Sequence, residues 1–406
     1  MTRTRGRNFL IILILGALST VSPFSIDMYL PAFPQIARDL GTTPAEISLS
    51  VSGYFIGLAL GQLCYGPLLD RFGRKRPLYA GMTLFILASL GCIAARSPGL
   101  FIALRLLQAI GGCVAGVGAV AMVRDFFPAR ESAKILSLLI LVLSVSPLFA
   151  PSIGSLVATT AGWQWIFVIL AGFAVLMIAV TATLLPEGHE PDPGISLRPT
   201  AIVRGFLGVI ENPQFATYAI GGAFSFAGLF VYVTGSPIIF IQGFHLGPHA
   251  YGLVFAALAC SFIGGSQLNV WLSRRHQDRK IFRTALICQN VVVLIILIGT
   301  VLGWYGLAAN IALLMLYLPF CGIAYPNAAA IALAPFSKNI GSAAAALGFL
   351  QMSIGALAST GVGLLHSSSS LPIFAVMAAT AAIGLGILLL SGKLASAGTA
   401  LADTSH

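Results

Sequence analysis

Apolar residues along most of this chain do not alternate with polar ones. They run in blocks of about twenty, separated by short stretches rich in Gly, Pro, Ser and charge. A block of 18 or more apolar residues can cross a hydrocarbon core of about 30 Å as a helix, whereas a membrane barrel would need alternating segments of about ten residues. Read against turn signals, the blocks predict twelve helical spans, at about 9–31, 46–69, 78–95, 99–122, 133–157, 163–185, 213–240, 250–272, 282–302, 306–333, 341–365 and 371–392. The first block follows Arg3, Arg5 and Arg7, as in a signal peptide. From Phe9 to about Ile26 it outruns a signal-peptide core of about 7–15 residues, and no clear A-x-A site follows, so it reads as a retained span.

Composition agrees. The 406 residues are 58% hydrophobic and 8% charged, with mean hydropathy +0.95, against about 25% charged residues in a soluble domain. Charge then orients the spans. With the N-terminus inside, 19 of the 22 basic residues fall in inside segments and only Arg38 and Arg96 fall outside; this strong bias places both termini in the cytoplasm. The net charge of +10 is thus a topology signal and implies no nucleic-acid partner. Sorting the acids the same way leaves one carboxylate in the membrane, Asp27, and one base, Arg105. The six cysteines lie in apolar segments, as small packing residues do. The histidines sit in loops, at span ends or in the tail, and no metal or cofactor constellation is visible.

The chain also reads as two halves. "GPLLDRFGRKRP" (66–77) and "NVWLSRRHQDRK" (269–280) join equivalent spans about 203 residues apart, and Pro31 and Pro237 end spans 206 apart. Between them lies "LPEGHEPDPGISLRP" (185–199), a linker by composition. The expected architecture is all-α and polytopic, with twelve transmembrane helices in two pseudo-symmetric six-helix bundles, 1–185 and 213–392. A cytoplasmic linker at 186–212 joins them and a cytoplasmic tail follows at 393–406, the plan of a secondary transporter.

Four stretches carry a resemblance that spans about 5–392. "GPLLDRFGRKRP" matches the superfamily loop G-x-L-x-D-R-x-G-R-K, "SIDMYLPAFP" resembles a span-1 signature, and "RLLQAIGGCVAGVGAVAMVRD" (105–125) resembles a span-4 motif with Arg105 in the motif position. "SPLFAPSIG" (146–154) resembles the antiporter motif G-P-x-x-G-G of span 5, with Ser155 where a second glycine often stands. The chain thus resembles the major facilitator superfamily, its twelve-span drug:proton antiporter group, and within that the bacterial bicyclomycin-resistance (Bcr/CflA) subfamily. The resemblance implies a bacterial inner-membrane location.

It also implies roles for residues. Gly66, Asp70, Arg71, Gly73, Arg74 and Lys75 would form a cytoplasmic latch with the start of span 11, near Gly341 and Ser342, and with Arg124 and Asp125 at the foot of span 4. The glycines would permit tight backbone geometry, and Asp70 would accept hydrogen bonds from an arginine or a helix N-terminus. Pro147, Pro151 and Gly154 would make span 5 bent and adaptable. Small residues at Gly112, Gly116, Ala115 and Ala119 would let span 4 pack closely.

An intramembrane charge costs about 2.5–3.5 kcal/mol on insertion scales, so Asp27 and Arg105 call for a reason. Counted from the outer span ends, both sit roughly 6–9 Å deep, which points to a shared polar cavity. Either they form a permanent salt bridge, or Asp27 is a proton switch tuned by Arg105, with Gln108 one turn away in the same network. The equivalent positions of the second half are Val233 and Ile311, so coupling is expected in the first half. Tyr29, Tyr54, Gln62, Phe226, Phe230, Tyr232, Asn327 and Gln351 are candidate substrate contacts, each open to the alternative of simple packing.

The expected function is proton-coupled efflux of small, mainly neutral or zwitterionic lipophilic drugs, bicyclomycin- or phenicol-like, by a monomer in the bilayer. Some drug antiporters of the family carry a second acid about two turns before the span-1 Asp, where this chain has Ser19. Proton-coupled transport of a native metabolite such as a nucleoside or sugar is the alternative. An intramembrane enzyme would need clustered catalytic groups at one depth, and a channel would need repeated polar rings; the sequence offers neither.

Overall fold

The computed structural model describes residues 5–188, 190–195, 197, 199–304, 306–336, 340–364 and 369–403; Arg3, His189, Arg198, Lys338, His366 and His406 lie outside them. The described residues form helices and connections, with no strand among them. In order the helices are α1 (Arg5–Asp27), α2 (Phe33–Asp39), α3 (Pro44–Phe72), α4 (Lys75–Ala94), α5 (Pro98–Phe126), α6 (Ala129–Thr160) and α7 (Gln164–Leu184). Then follow α8 (Pro199–Ile210), α9 (Pro213–Pro237), α10 (Pro248–Leu272), α11 (Asp278–Val301), α12 (Leu307–Leu333), α13 (Ile340–Leu364) and α14 (Leu371–Asp403). Twelve stretches among the described residues are long and apolar enough to cross a membrane, as the sequence predicts.

Local chemistry sets several boundaries. α3 opens on Thr43, whose side chain accepts from the Glu46 N–H at 3.2 Å, with Pro44 in the first turn. α5 opens likewise on Ser97, accepting from Leu100 N–H, with Pro98 next. Both are N-caps followed by a proline whose missing donor is not needed there.

One expectation is corrected, and two segments turn out to hold helix. The first span does not stop near residue 31: the membrane-length stretch is Asn8–Asp39, interrupted after Asp27. The segment 186–212 is not all irregular, because it contains α8. That helix carries apolar residues at Ile202, Val203, Phe206, Val209 and Ile210, a helical period; Val209 is buried in a cluster with Phe215, Ala332, Ala346 and Leu347. The tail, too, continues α14 as far as Asp403.

The chain divides into two compact units. One comprises Met1–Ile202, Ser236–Ala259 and Gly363–Ser368; the other comprises Val203–Gly235, Cys260–Val362 and Ser369–His406. In the first, α3 lies close along α5, with Gly57 against the Leu106 carbonyl and Gly61 against Cys113. In span 4 the close approach falls at Gly111 and Gly112, which meet Phe85, while Gly116 faces open space. In the second unit, Phe282, Leu286, Ala324 and Ala328 form the seam between α11 and α12. Phe9, Leu253 and Leu357 are largely exposed, as expected where lipid rather than water is the solvent.

A buried polar knot holds the second unit. Gln289 Nε2 donates to Ser225 O at 2.9 Å, Tyr317 Oη at 3.1 Å and Cys321 Sγ at 3.2 Å, while Ser225 Oγ donates to Gln289 Oε1 at 2.6 Å. One amide thus joins three helices. Gln289→Leu is expected to destabilise this unit by about 1–3 kcal/mol, because the partners left behind are buried; thermal unfolding of the purified protein in detergent reads the loss.

Candidate functional site

The first site is built by a proline. In a continuous helix the Asp27 carbonyl would accept from the N–H of residue 31, but that residue is Pro31, which has none. α1 therefore ends at Asp27, a tight turn covers Leu30–Ala32, and the chain restarts at Phe33. Ala32 N–H turns back to Tyr29 O at 2.9 Å. Asp27 is 5% exposed, and among the described residues it makes no ion pair. The permanent salt bridge to Arg105 is not formed.

Arg105 instead is held by its own bundle. It is fully buried. Its Nη1 donates to Ser25 Oγ at 2.9 Å and to Gln108 Oε1, and its Nη2 donates to Ser25 O at 2.8 Å. Gln108 Nε2 donates onward to Ser89 Oγ at 2.7 Å. The guanidinium also lies over aromatic faces, 4.2 Å from the Tyr29 ring centroid, 4.4 Å from Tyr54 and 5.8 Å from Phe167. Ring quadrupoles favour a cation so placed, most strongly without water. Tyr29 shares a hydrogen bond with Ser50 at 2.8 Å. Arg105 Nε has no partner among the described residues.

Sequence reasoning named Asp27, Arg105, Gln108, Tyr29 and Tyr54 but missed Ser25, Ser89 and Phe167. Ser25 was two residues from Asp27 in the quoted motif; Ser89 and Phe167 gave no signal, because only helix rotation brings them in. Tyr29 leads through Phe167 and Phe101 to Trp163, with centroids 5.7–6.1 Å apart, and Trp163 Nε1 donates to Asp39 at 2.7 Å.

α6 presses on the break. A Cβ at Gly154 would lie 1.7 Å from the Met28 carbonyl oxygen, so only glycine fits. Pro151 is buried and Pro147 half-buried within the same helix. Ser155, standing where the motif often has glycine, comes 3.4 Å from His249 Nδ1, a contact the sequence did not suggest.

The loop between α3 and α4 is a second site. Gly73 turns with φ +80°, a conformation that favours glycine. Gly66 does not share that role: it sits inside α3 with open space around it. Arg74 donates to Asp70 at 2.6 Å and to Asp125 at 2.6 and 3.2 Å. Burial pulls the Arg74 pKa down, but the hydrogen bonds and charges of Asp125 and Asp70 outweigh it and hold the guanidinium above its ordinary value. Residues beyond α7 add to the loop. Glu187 accepts from the backbone N–H of Arg74 at 2.7 Å and of Lys75 at 3.3 Å, capping α4; Arg71 Nη1 donates to Ile195 O at 2.7 Å. Sequence reasoning paired Asp70 with an arginine and placed Asp125 nearby, but missed Glu187.

In the second unit, Phe226 lies 5.2 Å from Phe230, 4.8 Å from Tyr325 and 6.1 Å from Phe262. Tyr325 Oη donates to Gln351 Oε1. Three expected residues thus gather around Tyr325, which sequence reasoning did not name. Asn327 donates to Asn269 and to Ile323 O, both at 2.6 Å. Tyr232 is buried, and Gln62 is half-buried on α3.

A family model described as Major Facilitator Superfamily matches residues 15–360. The chain belongs to that superfamily. Among its relatives in the superfamily, the Bicyclomycin resistance protein homolog of Haemophilus influenzae is 30% identical over 377 residues, 92% of this chain and 94% of that protein. The Multidrug resistance protein MdtL of Escherichia coli is 30% identical over 341 residues, 83% and 84% of the two chains. Both agree with the resemblance to the bicyclomycin-resistance subfamily. In fold, the chain is similar to a crystal structure of a D-xylose-proton symporter, with TM-score 0.74 at 14% identity, covering 94% of this chain and 97% of that one. This superfamily is one of transporters, not enzymes.

Two substitutions test these sites. Gly154→Val should still insert but lose most transport, because the side chain and the Met28 carbonyl cannot share one place; uptake and efflux in proteoliposomes measure it. Arg74→Gln should cost about 3 kcal/mol, since it leaves Asp125 without its partner at a largely buried position; thermal unfolding reads this, and Asp125→Asn in the same background should cost little more.

Proposed function

We propose that the protein is a proton-coupled exporter of small, mainly neutral or zwitterionic lipophilic compounds, in a bacterial inner membrane with both termini cytoplasmic. The two six-span halves, 1–185 and 213–392, would work by alternating access. The observation that carries this reading is Asp27: this buried acid makes no ion pair among the described residues and stands at a helix break, while the buried Arg105 is held by other partners. An acid so placed is free to take and give a proton. Protonation removes its charge, and a neutral carboxyl is far cheaper to bury than a carboxylate.

Arg105, Gln108 and Ser25 would act as the fixed polar floor beside it, and the loop of Asp70, Arg74 and Asp125 as the latch on the inner side. The names of the two relatives support drugs as substrates. The aromatic group of Phe226, Phe230 and Tyr325, with the Gln351 amide, suits an apolar ligand with few polar groups. Substrate charge follows from counting. Ser19, two turns before Asp27, is buried and donates to Leu15 O at 2.9 Å, so α1 offers one carboxylate, Asp27, and the simplest cycle moves one proton inward per turnover.

Three measurements test the reading. Asp27→Asn should abolish substrate-induced proton release from the purified protein while insertion stays normal; unchanged proton release would remove Asp27 from the mechanism. Asp70→Asn should shift distances between labels on the inner ends of the two halves toward inward-open states. In proteoliposomes, one charge crossing 100 mV is worth about 2.3 kcal/mol, and about 1.4 kcal/mol is a tenfold gradient. Export of a neutral phenicol should therefore respond to both voltage and pH gradients. Voltage-driven export of a quaternary cation without export of neutral drugs, or uptake of nucleosides or sugars alone, would overturn the proposal.

A further inference from the structure

The two repeat loops, 66–77 and 269–280, handle their cations differently. In the first, Arg74 pairs with Asp70 and Asp125, Glu187 accepts from the backbone N–H of Arg74 and Lys75, and Arg71 donates to Ile195 O, so Arg74 and Arg71 are spent on partners within the protein. In the second, Arg274, Arg275, Arg279, Lys280 and Arg283 stand with one carboxylate, Asp278, and all five are exposed. None of these five makes an ion pair among the described residues.

We propose that the connection between α10 and α11 is a binding site for an anionic phospholipid, with the headgroup phosphate on Arg275 and Arg279. The cations lie where one span ends, at Leu272, and the next begins, at Asp278, which is headgroup depth. Directly before them on α10, Leu268, Val270 and Trp271 are about half exposed, an apolar ladder for acyl chains. Arg275 stacks on Trp271, 4.5 Å from its ring centroid, and Arg279 lies 5.9 Å from the Tyr218 ring. A tryptophan there is at home in the interface, and a cluster of this size near a span attracts acidic lipid.

Beside Arg279 opens a cleft of about 320 Å³ whose walls include Gln214, Gln277, Asp278, Ala330 and Ile331. Its polar groups do not suit a free anion: Gln214 Nε2 is spent on Ile331 O at 2.8 Å, and Asp278 repels negative charge. The ligand that gains is one that brings apolar chains along with its phosphate.

Native mass spectrometry of the purified full-length protein tests this, with phosphatidylglycerol and phosphatidylethanolamine offered together. Wild type should retain the anionic lipid at least tenfold over the zwitterionic one. Arg275→Gln/Arg279→Gln, which keeps Arg274, Lys280 and Arg283 for topology, should lose most of that preference, and Trp271→Ala should weaken it. Arg76→Gln/Arg124→Gln removes as much charge elsewhere and should retain it. Equal retention by Arg275→Gln/Arg279→Gln would overturn the assignment. So would equal loss in the Arg76/Arg124 variant, or displacement of the lipid by millimolar inorganic phosphate.

Discussion

A missing hydrogen-bond donor organises the first half of the molecule. Pro31 cannot supply the N–H that the Asp27 carbonyl would need, so the first span breaks at its buried acid. In hydrocarbon a freed carbonyl and a carboxylate are both expensive, and the surroundings are arranged around that cost. α6 offers a glycine rather than a side chain at Gly154, so backbone meets backbone at Met28. The restart at α2 carries the chain on to Asp39, which Trp163 anchors. The break, the close approach and the anchor at Asp39 are parts of one arrangement.

The other intramembrane charge is treated in the opposite way. Arg105 is surrounded by donors' targets and ring faces until little of its demand is left. A guanidinium suits that treatment because its donors are fixed in a plane and its faces accept aromatic rings; an ammonium would match neither. Two opposite charges that a sequence places at similar depth thus end with different degrees of freedom, one fixed and one available.

How much of this could be read in advance follows from what makes a residue stand out. The spans were legible because the bilayer forces long apolar runs, and Asp27 and Arg105 because no other charge interrupts those runs. The motif "GPLLDRFGRKRP" announced Asp70 and Arg74, and the span-4 motif ended on Asp125, although the two glycines of the first motif read alike and only Gly73 has the backbone that demands one. The cage of Arg105 was hidden, since Ser89 and Phe167 resemble dozens of other residues until helix rotation selects them. The reach of span 1 to Asp39 was hidden by Pro31 and Pro34, which look like an end and act as a corner. α8 was hidden because a proline-rich stretch beside it dominated the local composition.

The cap on α4 has a consequence for the order in which the protein can be finished as it leaves the ribosome. The N–H groups of Arg74 and Lys75 are satisfied by Glu187, and Arg74 also needs Asp70 and Asp125. Asp70 is present from the start, Asp125 arrives after the fourth span has been made, and Glu187 only after the sixth. Synthesis proceeds at about 5–20 residues per second, so the 113 residues separating Arg74 from Glu187 correspond to many seconds in which the third span is inserted but its first turn is open. The first six spans are therefore completed by the connection that follows them: a nascent chain stopped before Glu187 holds six spans without the carboxylate that caps the third.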